Sequence, residues 1–317
     1  MTNHIRVARS FVASDALASV IAKEYDLGGD VSCKLFSKLV RTQDNDHYLV
    51  TANGSSYVAR VYQCGEPLDR TESDYQFELA WLTFLKDKNM PVSYPIARKD
   101  GGFLGSVVAP EGLRYYALFT IAKGEAMSLN NMEQLFQYGI KMAQIHEVSN
   151  QFETEHKRFS MDLDYLLDDS IMRIQQSWGD DRAEELEILL TSAAEARIEL
   201  EELLSPDMGG NAWGVIGGDW HQGSVFFDGN DPTFFNFDLC GHGWRAYDIA
   251  TFLSNSALVR SDTDLAEAFF AGYYSVRQLA AEEHAAISPF LTVRRIWVMG
   301  TFAREDGIAG HTFIAPA

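Results

Sequence analysis

A change of hydrophobic period near residue 125 constrains this chain more than any other feature. Upstream, LFSKLVRTQDNDHYLVTANGSSYVARVYQ alternates apolar and polar residues with a period near two, the pattern of half-buried strands. Runs at 47–52 and 56–63 flank Asn53-Gly54, a dipeptide suited to the positive φ angles of a two-residue hairpin turn. A third run at 33–41, set off by the polar turn 42–46, completes an antiparallel meander. The segment SDYQFELAWLTFLKDKNM then reads as a helix, with Tyr75, Leu79 and Leu82 on its inner face and Ser73 or Asp74 as its cap. Strands are expected at 103–109 and 114–121.

Downstream the period becomes helical. Met132, Leu135, Phe136, Gly139, Met142, Ala143 and His146 form one stripe, and Leu186, Leu189, Ala193, Leu200 and Leu203 another. Two closing helices are expected near 265–279 and 289–304. One β-rich island, VIGGDWHQGSVFFDGNDPTFFNFD, interrupts this half and turns at Asp228-Gly229-Asn230. The expectation is an α+β fold of two lobes: a β-rich N-terminal lobe over 1–122 and a mainly helical C-terminal lobe over 123–317.

Charge narrows the partners. With 45 acidic against 26 basic residues the net charge is −19, which repels nucleic acid and anionic membrane surfaces and suits a small-molecule substrate, a cationic one included. No apolar run reaches the ~18 residues of a transmembrane helix. Asp15 interrupts the only stretch resembling an export signal, so the N-terminus reads as an amphipathic helix. Three widely spaced cysteines (Cys33, Cys64 and Cys240) imply neither a disulfide framework nor a zinc site, and a cytoplasmic setting is expected.

The island concentrates the chemistry. Asp219, His221, Ser224, Asn236, Asp238 and Asp248 fall within 30 positions. A hairpin brings its ends together, so Asp219 is expected to share a pocket with Asn236 or Asp238. Carboxylates gathered this way suit a general base beside Mg²⁺, which prefers oxygen ligands. His146, on an apolar stripe, reads as a core histidine with satisfied hydrogen bonds.

GGDWHQGSVFF followed by FFNFDLCGHGWRAYDIATF resembles the signature of the aminoglycoside phosphotransferase/choline kinase family, His-Gly-Asp-x-His-x-x-Asn and then an Asp-Phe-type metal motif. YVARVY, FELAWLTFL, ALFTIAKGE and MAQIHEVS match that family's upstream segments in order, over roughly 30–255. The resemblance implies a bilobal protein-kinase-like fold and ATP-dependent phosphoryl transfer to a hydroxyl of a small metabolite or antibiotic-like substrate. It makes Asp219 the catalytic aspartate and pairs Arg60, on the α/β-phosphates, with Glu78. Backbone groups of Thr120, Ile121 and Ala122 would meet the adenine, and the turn 42–46 would lie over the phosphates. Asp248 and His221 would support the catalytic loop.

Three positions depart from the pattern. Gly217 stands at the family's first histidine, Ser224 at its metal-binding asparagine and Asn236 at its metal-binding aspartate, with Asp238 two places on. An amide oxygen lacks the carboxylate's charge, and in this chemistry the ion supplies much of the charge stabilisation. The metal positions are therefore Ser224, Asn236 and Asp238. Two readings stand: an ATP- and Mg²⁺-dependent phosphotransferase, or a pseudokinase that keeps the fold as a nucleotide- or metabolite-binding module. Acidic residues over 162–185 (Asp162, Asp164, Asp168, Asp169, Asp180 and Asp181) belong to the expected substrate region. Homoserine-like, sugar-like and antibiotic acceptors all remain open.

Overall fold

Asn53 and Gly54 both have positive φ, 47° and 74°, and close the hairpin between strands β2 (Asp46–Ala52) and β3 (Ser55–Val61). Two consecutive left-handed residues match the right-handed twist of the flanking strands. The computed structural model describes residues 7, 9–36, 44–63, 70–205, 212–257 and 263–303. The chain is α+β and divides into two compact units. The first takes in Met1–Thr83, Ser93–Ile121 and Thr154–Lys157; the second takes in Phe84–Val92, Ala122–Glu153 and Arg158–Ala317.

The first unit is built on an antiparallel sheet of order β1-β2-β3-β5-β4, where β1 is Val31–Leu35, β4 Gly105–Ala109 and β5 Gly112–Thr120. Helix α1 (Ser14–Glu24) covers one face, placing Leu17 and Ile21 against Tyr48, Val50, Ala59, Val61, Tyr116 and Leu118. Helix α2 (Glu72–Asp87) buries Tyr75, Leu79 and Leu82 as the spacing predicts. Its start differs from expectation. Asp74 accepts hydrogen bonds from Thr71 N and Oγ1 at 2.7 and 2.8 Å, so it reaches back from inside the first turn, while Ser73 Oγ accepts from Lys157 N. The third strand is seen only to Leu35; the rest of 33–41, with Thr42 and Gln43 of the turn, lies almost wholly outside the described residues.

In the second unit, β6 (Glu125–Ala126) precedes α3 (Met132–Val148), and β7 (Ser160–Met161) leads through a π-helical turn, Asp164–Asp168, into α4 (Asp169–Ser177) and α5 (Ala183–Leu203). On α5, Leu189, Ala193 and Leu200 face inward as expected. Ala196 joins them, and Leu186 and Leu203 are only half-buried. The island supplies β8 (Trp213–Ile216), β9 (Val225–Asp228) and β10 (Asp231–Phe234), followed by β11 (Gly241–Trp244). These form two small sheets, β10-β9-β6 and β7-β11-β8. Helices α6 (Arg245–Ala257), α7 (Thr263–Tyr274), α8 (Ala281–Ala285) and α9 (Ile287–Phe302) complete the unit. Helix α9 packs against α4, α5 and α6, and α3 packs along α7. The segment 217–224 thus leaves β8 and enters β9, and 235–240 runs from β10 to β11. No described helix is long and apolar enough to cross a membrane.

Candidate active site

The loop after β8 is fixed from beneath by one carboxylate. Asp248, in the first turn of α6, accepts from Gly217 N through Oδ2 and from Gly218 N through Oδ1, both at 2.8 Å. Its side chain is fully buried, and the helix N-terminus favours its negative charge. His146 of α3 lies 3.1 Å from Asp248 Oδ2 through Nε2 and 2.9 Å from the Tyr273 hydroxyl through Nδ1. With Nε2–H donating to Asp248, Nδ1 is the acceptor for Tyr273. Burial pushes the His146 pKa down to about 4, against the pull of Asp248, so the ring is neutral. His146 is therefore a satisfied core histidine that ties α3, α6 and α7 to the loop.

Asp219, two residues past Gly217, has a nearly buried side chain with a divided carboxylate. Oδ1 accepts from Arg294 Nη2 of α9. Oδ2 has no hydrogen-bond partner among the described residues. Burial alone would lower the Arg294 pKa, but the Asp219 carboxylate and the neighbouring Tyr247 outweigh it and hold it above its ordinary value. Its guanidinium also lies over the Trp297 ring, 4.6 Å from the centroid.

Gly217 is matched to its neighbour. A Cβ there would lie 2.2 Å from Cε2 of Trp220, whose indole is fully buried and stacks on His146. The side-chain volume missing at 217 has its counterpart at 220. His221 caps the short turn Gln222–Ser224, its Nδ1 accepting from Gly223 N at 3.0 Å. Ser224 is buried and donates its hydroxyl to Asp219 O at 3.2 Å, while its own carbonyl accepts from Phe235 N. Asn236 is half-buried with φ 67°, a left-handed conformation that Asn and Asp both tolerate. Asp238 is half-buried, and its carbonyl accepts from Arg158 Nη2 at 2.6 Å.

These residues offer a divalent cation fewer charged ligands than the family pattern does, with Asp238 the one carboxylate among the three metal positions. Ser224 donates its proton to a carbonyl and keeps only neutral hydroxyl lone pairs to offer, one oxygen of Asp219 is committed to a guanidinium, and Asn236 offers an uncharged amide. No group of three or more His, Cys, Asp or Glu among the described residues converges as a metal site.

In the first unit, Arg60 Nη1 of β3 donates to Glu78 Oε1 of α2 at 2.5 Å, and the Tyr62 hydroxyl donates to Glu78 Oε2 at 3.2 Å. Both charged side chains are buried, with the Arg60 guanidinium over the Phe119 ring. Thr120 is occupied: its N donates to Tyr94 O, and its carbonyl accepts from Ser93 Oγ. Ile121 and Ala122 make no backbone hydrogen bond among the described residues. Of the turn 42–46, only Asp44, Asn45 and Asp46 are described. Asp46 is fully buried between Arg9 and Arg114, and Asn45 Oδ1 accepts from Gln63 N.

The acidic stretch 162–185 is largely answered by arginines. Asp164 and Asp168 pair with Arg197, and Asp169 with Arg173. Asp162 accepts from Tyr165 N, and the Asp180 side chain lies outside the described residues. Sequence reasoning missed Arg294 and Trp220. Trp220 carried a signal, since a bulky residue three positions from a glycine substituted for histidine invites a volume exchange. The RR pair of α9 shows two charges in an apolar helix without telling which one turns inward.

Comparison with known proteins identifies the family. The profile of the phosphotransferase enzyme family matches residues 37–286. An uncharacterized Synechocystis protein, sll1119, is 33% identical over 91% of this chain and 77% of its own length. The homoserine kinase of Neisseria meningitidis serogroup B is 29% identical over 82% of this chain and 79% of its own. Among solved structures, the amicoumacin kinase hAmiN in complex with AMP-PNP, Ca²⁺ and Ami superposes with a TM-score of 0.75 at 18% identity. That match covers 92% of this chain and 86% of the kinase. A protein-kinase-like α+β fold, the Asp219–Asp248 loop and a family profile spanning most of the sequence lead to one conclusion: the chain belongs to the phosphotransferase enzyme family.

Proposed function

We propose that this chain transfers the γ-phosphoryl group of ATP to a hydroxyl of a small, amino-bearing metabolite. The observation that carries this reading is the Asp219 carboxylate, with one oxygen held and the other open, on a loop pinned by Asp248. The acceptor oxygen forms the new bond to phosphorus, the bond to the β,γ-bridging oxygen breaks, and ADP leaves with that electron pair. The hydroxyl proton passes to Asp219 Oδ2 and then to water. Arg60, oriented by Glu78, binds the α/β-phosphates, and the free backbone groups of Ile121 and Ala122 meet the adenine. A divalent ion enters as part of the metal–nucleotide substrate, not as a resident of the protein.

An amino-bearing acceptor is supported by the homoserine kinases among the relatives, since homoserine carries an ammonium two carbons away from its hydroxyl-bearing carbon. The arginine-paired 162–185 stretch adds little attraction for a cation. The acidic composition argues against nucleic acid, and the free thiol of Cys33 suits a cytoplasmic setting. A second reading, the pseudokinase, is favoured by Ser224 and Asn236 together.

Thermal unfolding with saturating ATP, in Mg²⁺ or EDTA, followed by ADP release with a panel of homoserine, amino alcohols and aminoglycosides, tests both. ATP at 100 times its Kd stabilises by about 2.7 kcal/mol, a shift of several degrees. ADP release by the parent with one acceptor supports phosphoryl transfer. Release only from the Ser224→Asn/Asn236→Asp variant supports the pseudokinase. No shift under either condition removes ATP from both.

A further inference from the structure

The open oxygen of Asp219 exists because a residue 75 positions away occupies the other one. Within the loop no hydrogen bond restrains that carboxylate: Ser224 spends its hydroxyl on the Asp219 carbonyl, and no other described side chain hydrogen-bonds to Oδ1 or Oδ2. Arg294 is itself held by packing, its Nε and Nη1 being buried without a hydrogen-bond partner among the described residues. Its neighbours Val293 and Trp297 are buried on α9, its guanidinium lies over Trp297, and α9 packs on α6, which carries Asp248. Burying a guanidinium and a carboxylate is expensive, and an apolar pair of similar volume is often as stable. Stability alone is therefore a weak reason for this pair in an otherwise apolar helix face.

We propose that Arg294 is a positioning residue for phosphoryl transfer. It fixes the Asp219 carboxylate with Oδ1 filled and Oδ2 presented to the acceptor hydroxyl. The paired charges cancel locally, so Asp219 engages the acceptor by hydrogen bonding and not by net attraction for a cation. The inference rests on the phosphotransferase reading above, deepening it with a residue that lies outside the loop motif.

The test uses the full chain with the acceptor that the parent phosphorylates, and compares the parent with Arg294→Lys, Arg294→Gln and Asp219→Asn. Lysine keeps the charge and loses the planar fork, which safeguards folding if the neutral variant fails to fold. The expected result for Arg294→Lys is a thermal midpoint and an ATP-induced shift near those of the parent. Its kcat should be lower by about ten- to a hundredfold, with KM for ATP and acceptor within about twofold, because misplacement of a reacting group by about an ångström costs on this scale. Adding Arg294→Lys to Asp219→Asn should lower kcat no further. A folded Arg294→Lys with kcat within about twofold of the parent overturns the inference, as does a loss confined to KM, and each leaves the phosphotransferase reading intact. A parent that turns over no acceptor overturns that reading and this inference with it.

Discussion

At Glu78 and Arg60 the chemistry of single side chains sets stability and, under the proposed function, nucleotide binding. Glu78 is fully buried and shares its two oxygens between Arg60 and the Tyr62 hydroxyl. Glu78→Gln leaves a buried guanidinium without its counter-charge, so the expected loss is about 3–5 kcal/mol in urea unfolding. Removing both charges with Arg60→Met/Glu78→Gln should cost clearly less than Glu78→Gln alone. The double variant should also lose the ATP-induced thermal shift, whereas a merely structural pair would leave that shift in place. The Arg60–Glu78 pair and the place of Asp248 beneath the Asp219 loop were legible through the resemblance of short ordered segments to a known family, and the contacts agree with both. Arg294 was not: in ISPFLTVRRIWVMGTF both Arg294 and Arg295 interrupt an apolar helix, and only packing shows that Arg294 is buried while Arg295 faces outward. Trp220 stood in plain view beside Gly217, yet its meaning is a volume exchange that requires the two to be seen in contact.

At the scale of elements, α3 and α7 approach so closely that backbone meets backbone. A Cβ at Gly139 would lie 2.2 Å from Phe269 O, and one at Gly272 would lie 2.0 Å from Phe136 O. Glycine-to-alanine in an exposed helix normally gains about 0.5–1 kcal/mol. Here the sign should reverse: each of Gly139→Ala and Gly272→Ala is expected to lose about 1–3 kcal/mol, because the partner atom is backbone and cannot swing aside. A lower urea midpoint at unchanged m-value would show it, and an unchanged or raised midpoint would mean that the helices separate freely. The stripe on α3 revealed which face is buried, and Asn53-Gly54 revealed the hairpin, since both depend on periods of several residues. Strands of two to four residues, such as β6, β7 and β11, are too short to carry a period. GHGW of β11 carries no alternating pattern, and its pairing with β7 and β8 is what makes it a strand. The start of α2 slipped for a related reason: Thr71, Ser73 and Asp74 are all competent capping residues, and the side-chain geometry decides among them.

For the whole molecule, pH is the variable that reaches the site through the fold. His146 joins α3 to Asp248 of α6 and Tyr273 of α7, and Tyr273 accepts from Arg277, which pairs with Glu283 of α8. Its folded pKa, about 4, lies below the ordinary 6.5, so the unfolded chain takes up the proton first. The neutral ring therefore contributes stability in full above about pH 6.5, and this contribution is lost as pH falls toward 4. A depression of this size corresponds to roughly 3 kcal/mol. Acidification also drains the net charge of −19 and relieves self-repulsion, which pushes stability the other way. Comparing the parent with His146→Gln separates the two, because the variant keeps the same surface charge and lacks the titrating ring. His146→Gln should be less stable at pH 7.5, and the gap between the two proteins should shrink steadily from pH 6.5 to pH 4. A gap that stays constant across that range would mean that His146 already carries its proton in the folded state. The loop above Asp248 would then rest on an ion pair between His146 and Asp248 in place of a neutral hydrogen bond.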